Sequence, residues 1–301
     1  MHPLALSIVC LACLLLPAYG QTAEIVRYLD IPYATFPNSA KQLTSLDIYA
    51  PADGKNCPVM VMIHGGGWTY GEKKYAASAG VKSRFFVNAG WVFVSINYRL
   101  SPAVKHPAHV QDVAKALSWV ADSIKRYGGS PEKVFVMGHS AGAHLAALVA
   151  TDERRLKAEG KSLSLIKGVV LLDGAGYDMP MEARLLGATQ IFKPAFGTDT
   201  EVWRDASPVT HIALGKEIPP FFIAYAEGRI GAKLQAEHLA EALRLSGYRA
   251  EVFAAQIAGN ATRSQLARHL AINARFGVPD DPLTASAMKF LNSLLPVATH
   301  D

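Results

Sequence analysis

The sequence predicts a single doubly wound α/β domain built on a mostly parallel sheet. Three observations carry that expectation. From about residue 55, short β-branched or apolar runs alternate with longer stretches of helical periodicity. The strand-like runs are continuously apolar, as a parallel sheet covered on both faces requires. The alternation continues to the C-terminal end with no internal repeat and no low-complexity linker, so one layered core accounts for the chain.

In chain order, "EIVRYLDIPYA" and "QLTSLDIYAP" read as an opening two-stranded hairpin. "VMVMI" (59–63) reads as a buried strand, and 76–90 as a helix closed by Gly90. A strand follows at 91–97, then a helix at 110–128 that ends on a glycine with cations in its last turn. Next come strand 133–137, helix 143–150, strand 166–172, strand 221–225, helix 234–247 and strand 250–255. The last helix, 281–295, opens on Asp-Pro. Residues 174–218 break the pattern with glycines, prolines and scattered aromatics between two sheet strands at the carboxyl edge. That is where a small cap-like insertion after strand six would sit; a merely structural excursion is the alternative.

Of the 301 residues 50% are hydrophobic and 18% charged, the profile of a globular chain with a large core. The net charge of +5 is mild and no basic, aromatic-interleaved patch stands out, so nucleic acid is not an expected partner. The first twenty residues, "MHPLALSIVCLACLLLPAYG", hold an apolar run (4–16) too short to span a bilayer, then the small-x-small spacing of Ala18-Tyr19-Gly20. They read as a signal peptide (1–20) ahead of one domain (21–301), which makes the protein secreted or periplasmic with no stable membrane insertion after signal removal. Because no Lys or Arg precedes the run, an uncleaved anchor is the alternative. Cys10 and Cys13 lie inside that segment, leaving Cys57 alone and no intramolecular disulfide. No H-E-x-x-H or carboxylate–histidine cluster has metal-ligand spacing, and no cofactor is expected. Asn260-Ala261-Thr262 is a glycosylation sequon. Nothing in the sequence speaks to oligomeric state.

The chemistry starts at Gly138-His139-Ser140-Ala141-Gly142, between a strand and a helix. A serine on so sharp a turn has strained backbone angles, and glycine on both flanks removes Cβ atoms that would collide there. The turn lifts Oγ above the sheet edge and aims a helix N-terminus at it, which favours a developing anion. Upstream, His64-Gly65-Gly66-Gly67-Trp68 follows a strand, and its glycines let backbone N–H groups turn inward as an oxyanion hole needs. A phosphate loop is the competing reading; there is no Lys-Ser/Thr after the glycines and the spacing is not G-x-G-x-x-G.

"HGGGW", "NYRLSP" (97–102), "HPAHVQDVAKALSWV" (106–120) and "GHSAGAHLAALVA" together resemble the α/β-hydrolase fold, specifically the carboxylesterases similar to hormone-sensitive lipase. The likeness runs from about residue 40 to 295. It implies an eight-stranded, mostly parallel sheet, with Ser140 as nucleophile and the backbone N–H groups of Gly66, Gly67 and Ala141 as oxyanion hole. Chain order in this fold is serine, acid, histidine. His144 lies one helical turn past the elbow, His211 in the excursion, His238 on a polar helix face and His300 in the tail. His269, in "ARHLAINARFGVPDDP", stands at the family's position for the base, after the last strand and before the last helix. About a dozen residues separate it from that strand, more than the family's usual short loop.

In relatives the loop after the seventh strand carries the aspartate that orients the histidine; here its place is taken by "AEGRIG". Three readings compete. Asp173, at the end of "GVVLLDG", supplies the carboxylate from the sixth strand, an arrangement that pancreatic lipases resemble. Glu227 serves instead, its longer side chain offsetting a shift of one residue. Or no acid is present and the site is a dyad, slow or inert. Asp112, Arg99 and Trp68 read as structural. The expected function is an exported serine esterase acting on small-molecule short-chain acyl or aryl esters. The alternatives are an arylformamidase-like amide hydrolase and a catalytically impaired binding protein on the same fold.

Overall fold

The computed structural model describes residues 23–296 apart from 38, 188, 260, 262 and 263. The expected leader with Cys10 and Cys13, Asn260 of the sequon and His300 lie outside the described residues. Eight strands form one sheet: β1 (Ile25–Pro32), β2 (Ser45–Pro51), β3 (Cys57–Ile63), β4 (Val92–Ile96), β5 (Gly129–His139), β6 (Ile166–Leu172), β7 (Phe221–Ala226) and β8 (Ala250–Ala255), in the order β1-β2-β4-β3-β5-β6-β7-β8. β1 pairs antiparallel to β2 and β2 to β4; every later pairing is parallel. This is the α/β-hydrolase fold.

The helices are α1 (Val81–Asn88), α2 (Ala108–Ser123), α3 (Ala141–Thr151), α4 (Glu153–Lys157), α5 (Met179–Leu186), α6 (Thr189–Phe196), α7 (Thr200–Asp205), α8 (Ile230–Leu245), α9 (Gln265–Arg275) and α10 (Pro282–Asn292). Strand periodicity sorts the core into two layers. Val59, Val61 and Ile63 of β3 face α2 and α3 on one side, while Met60 and Met62 join Phe86, Trp91, Phe135 and α10 on the other. Both faces are covered, so the central strands have no polar side.

Several boundaries differ from the sequence reading. The helix expected over 76–90 is a π-helical turn (Ala76–Gly80) followed by the shorter α1. α8 starts at Ile230 rather than 234, because Ala232 continues the buried stripe of Ala236, Leu239, Ala240 and Leu243; Gly231 is therefore helical and not a loop residue. α9 is a helix that the sequence reading leaves unassigned; its Leu266, Leu270 and Ala274 recur at helical spacing but line a cavity instead of the core, with both leucines exposed. The excursion 174–218 folds into α5, α6, α7 and a short 3-10 turn. Its Phe192, Phe196 and Trp203 are buried, with Phe192 and Phe196 edge-on to Trp68.

Parallel registers align the strand ends that build the site. Ile63 is level with Gly138, His139 with Leu172, and Leu172 with Ala224. The segments leaving β3, β5, β6 and β7 therefore emerge side by side at the carboxyl edge of the sheet.

Candidate active site

Ser140 caps β5 with φ +56° and ψ −124°, a backbone conformation that costs a non-glycine residue about 1–3 kcal/mol. The surroundings force it. A Cβ on Gly138 would lie 2.2 Å from the Gly142 carbonyl oxygen, and one on Gly142 would lie 2.2 Å from the Ile63 carbonyl oxygen. Only glycine lets α3 start this close to β3 and β5. The Ser140 N–H donates to the Leu172 carbonyl at 3.0 Å, tying the elbow to β6.

The glycine loop follows β3 and sits beside the elbow. Gly66 has φ +121°, and a Cβ there would fall 1.9 Å from the Tyr70 carbonyl oxygen, while Gly67 has φ +57°. Among the described residues the N–H groups of Gly66, Gly67 and Ala141 have no protein acceptor, which leaves them available at the mouth of α3. Trp68 locks the loop from behind. Its Nε1–H donates to Nδ1 of His144 at 3.3 Å, and His144 Nε2–H donates to the Ala206 carbonyl at 2.7 Å. Burial depresses the His144 pKa to about 3, so the ring stays neutral and can accept and donate at once. This relay also fastens the excursion to the loop. Arg99 and Asp112, paired at 2.8 and 2.7 Å, brace the chain after β4.

His269 sits on α9, in its second turn, and not on a loop. The extra residues between β8 and His269 supply that helix and its N-cap, Ser264, which accepts from the Ala267 N–H at 3.0 Å. His269 Nδ1 lies 2.6 Å from Oδ2 of Asp173. Asp173 directly follows β6, holds φ +48°, is 1% exposed, and accepts the Ala226 N–H on Oδ1 at 2.9 Å. Its own N–H donates to the Ala224 carbonyl at 2.7 Å. The carboxylate is thus clamped between β6 and β7. Glu227 is exposed and makes no contact with the His269 ring among the described residues; its carbonyl accepts from Arg268 at 2.8 Å.

Ser140 and His269 line one cavity of about 440 Å³ together with Gly65, Gly66 and Gly67. Tyr75, Leu266 and Leu270 give it apolar walls, and among the described residues no Asp, Glu, Lys or Arg and no residue of the excursion lines it; the outer wall is α9. Residues the sequence did not single out complete the arrangement. His139, inside the serine motif, lies tilted against the His269 ring at 4.4 Å and donates from Nε2 to the His269 carbonyl at 2.9 Å. Burial lowers its pKa and keeps it neutral. Arg229, within "AEGRIG", places Nε 2.7 Å from Asp173 Oδ2. His64 points Nδ1 at the Gly65 carbonyl, 2.8 Å away, and burial lowers its pKa to about 4. His211 and His238 stand elsewhere, against Asp205 and Asp178. Among the described residues no cluster of three or more His, Cys, Asp or Glu is placed to hold a metal, and no helix is long and apolar enough to cross a membrane.

A family model described as BD-FAE matches residues 46–243. Esterase LipQ of Mycobacterium tuberculosis is 34% identical over 209 residues, 66% of this chain and 48% of that protein. Isoprenylcysteine alpha-carbonyl methylesterase ICME of Arabidopsis thaliana is 28% identical over 160 residues, 53% of this chain and 37% of its own. The chain spans about half the length, or less, of the curated relatives it matches. Among solved structures, an esterase of Pyrobaculum calidifontis superposes with a TM-score of 0.60 at 27% identity, covering 83% of this chain and 82% of that one. Esterase B of Lactobacillus rhamnosis superposes with a TM-score of 0.69 at 19% identity over 91% and 87%, a likeness of fold.

Proposed function

The chain belongs to the BD-FAE family, and from that premise we propose that it is a serine carboxylic-ester hydrolase whose triad is Ser140, His269 and Asp173. The observation that carries this reading is the 2.6 Å contact between His269 Nδ1 and the Asp173 carboxylate, with His269 sharing a cavity with Ser140. Asp173 holds the imidazole with its proton on Nδ1, leaving Nε2 free to take the serine proton. Oγ attacks the ester carbonyl, and the N–H groups of Gly66, Gly67 and Ala141 receive the oxyanion at the positive end of α3. His269 then protonates the departing alcohol, and water repeats the sequence on the acyl-enzyme.

The cavity, largely apolar and without a charged side chain among the described residues, suits short-chain acyl or aryl esters that carry no charge next to the carbonyl. Named relatives and structural neighbours are esterases, which favours an ester over an N-formyl amide. A carboxylate on the His269 ring also weighs against an inert binding protein. The reading includes export, supported by the apolar run 4–16 and the small residues that end it; N-terminal sequencing of the purified protein tests that part. For the chemistry, Ser140→Ala abolishes p-nitrophenyl acetate hydrolysis and covalent labelling by a fluorophosphonate. A wild-type protein that takes no label under conditions that label a control esterase would sink the reading.

A further inference from the structure

Arg229, in the loop between β7 and α8, makes two contacts that bear on His269. Its Nε lies 2.7 Å from Asp173 Oδ2, the same oxygen that faces His269 Nδ1. The Nε–H is not aimed along that line, so the contact is an ion pair rather than a full hydrogen bond. Its Nη1 donates to the carbonyl of Gln265, the first residue of α9, at 2.9 Å. Gln265 answers by donating from Nε2 to the Gly228 carbonyl at 3.1 Å. One guanidinium therefore joins the acid to the helix that carries the base.

We infer that Arg229 is a positioning residue for the reaction proposed above: it counter-charges Asp173 and ties it to α9, and so shares with His269 a carboxylate that would otherwise act on the imidazole alone. An isolated carboxylate buried against the sheet is costly unless paired. With Arg229 present, the pair is neutral before the imidazole takes a proton. The imidazolium then gains less from Asp173 and feels the guanidinium as a like charge. Removing Arg229 returns the whole carboxylate to His269 and raises the proton affinity of the ring.

The other charged or titratable groups around this pair come from every neighbouring element. His139, at the end of β5, is neutral and lies tilted against the ring. Lys82 of α1 acts on His139. Tyr177, after β6, is fully buried beside Asp173 and Glu182. Arg268 and Glu227 lie on α9 and after β7. Glu182 of α5 accepts the Gly176 N–H at 2.6 Å, feels Arg229, and is pushed up by burial to about 7. Lys82, lowered by burial to about 7, lies in the same range, so Glu182→Gln and Lys82→Met each serve as a control whose acid limb stays with that of the wild type.

The inference rests on the ester-hydrolase reading, and the two fail separately. Fluorophosphonate labelling of the wild type at neutral pH tests the reading alone. With labelling established, kcat/KM for p-nitrophenyl acetate is measured against pH for wild type, Arg229→Met, Arg229→Lys, Glu182→Gln and Lys82→Met. The acid-limb midpoint is expected to rise by about one pH unit in Arg229→Met, a tenfold change in proton affinity. It stays in place in Arg229→Lys, which keeps the charge and loses the Gln265 contact, and in Glu182→Gln and Lys82→Met. Should Arg229→Met fail to fold, Arg229→Gln, neutral but still a donor, carries the same expected shift. An unmoved limb in the neutral Arg229 variants, or a limb that moves equally in Arg229→Lys, Glu182→Gln or Lys82→Met, overturns the inference.

Discussion

Lys82 offers a measurable consequence of burial. It is 1% exposed, and its Nζ donates to the carbonyls of Ala77 and Asn273 at 2.7 and 2.5 Å, with no carboxylate within ion-pair distance among the described residues. Burial without a counter-charge lowers its pKa from 10.5 to about 7. The unfolded chain keeps the Lys82 proton up to its ordinary value, whereas the folded protein releases it near 7. Between those values the unfolded state binds more protons, so Lys82 makes stability rise with pH by about 1.4 kcal/mol per unit. Below the folded value the penalty is fully present, at an upper bound of about 5 kcal/mol. In Lys82→Met the titration is gone, while the loss of two donors to the carbonyls is the same at every pH and cancels. Urea unfolding of both proteins at about pH 7.5 and 9.5 should show the wild type gaining roughly 2–3 kcal/mol on the variant between the two conditions. A difference that stays flat within about 0.5 kcal/mol would refute the reasoning.

Two other perturbations address the site directly. Asp173→Asn should lower turnover of p-nitrophenyl acetate by about three to four decades, whereas Glu227→Gln, which alters an exposed side chain with no contact to His269, should change it less than about twofold. Equal losses from both, measured as kcat, would move the acid away from Asp173. Gly142→Ala puts a methyl group 2.2 Å from the Ile63 carbonyl, which is backbone and has nowhere to go, so α3 must shift off β3. The expected result is a thermal midpoint lowered by an amount matching about 1–3 kcal/mol together with near-total loss of fluorophosphonate labelling; a variant with normal labelling would contradict it.

Much of this architecture could be read in advance, for specific physical reasons. Buried parallel strands write themselves as unbroken apolar runs, so β3, β4, β6, β7 and β8 were legible to within a residue or two. The elbow and the glycine loop were legible because backbone collisions admit one residue type, which leaves glycines at fixed offsets from Ser140 and after β3. The surroundings of His269 were not. α9 buries little, and its Leu266, Leu270 and Ala274, although at helical spacing, face the cavity with both leucines exposed, so the pattern does not say what the helix packs on. Arg229, His139 and Lys82 act through contacts over 36 to 191 residues of chain, and no local spacing encodes those. That Asp173, not Glu227, touches the imidazole follows from the β6–β7 register, which places Ala226 N–H against Oδ1; periodicity alone left both open.

A histidine carried on a helix instead of a loop has one more consequence. Of the eleven residues of α9 only Ile272 and Asn273 are buried, and the helix is latched at one end through Gln265 and at the other through Lys82. Segments with so few buried apolar contacts open by local unfolding, at a fraction of the global free energy. Such an opening would withdraw the imidazole and the outer cavity wall in a single step, while Ser140, the glycine loop and Asp173 stayed with the sheet. The reacting groups would then divide between two cooperative units of unequal stability, and the weaker one would set a temperature for loss of activity below that at which the sheet melts.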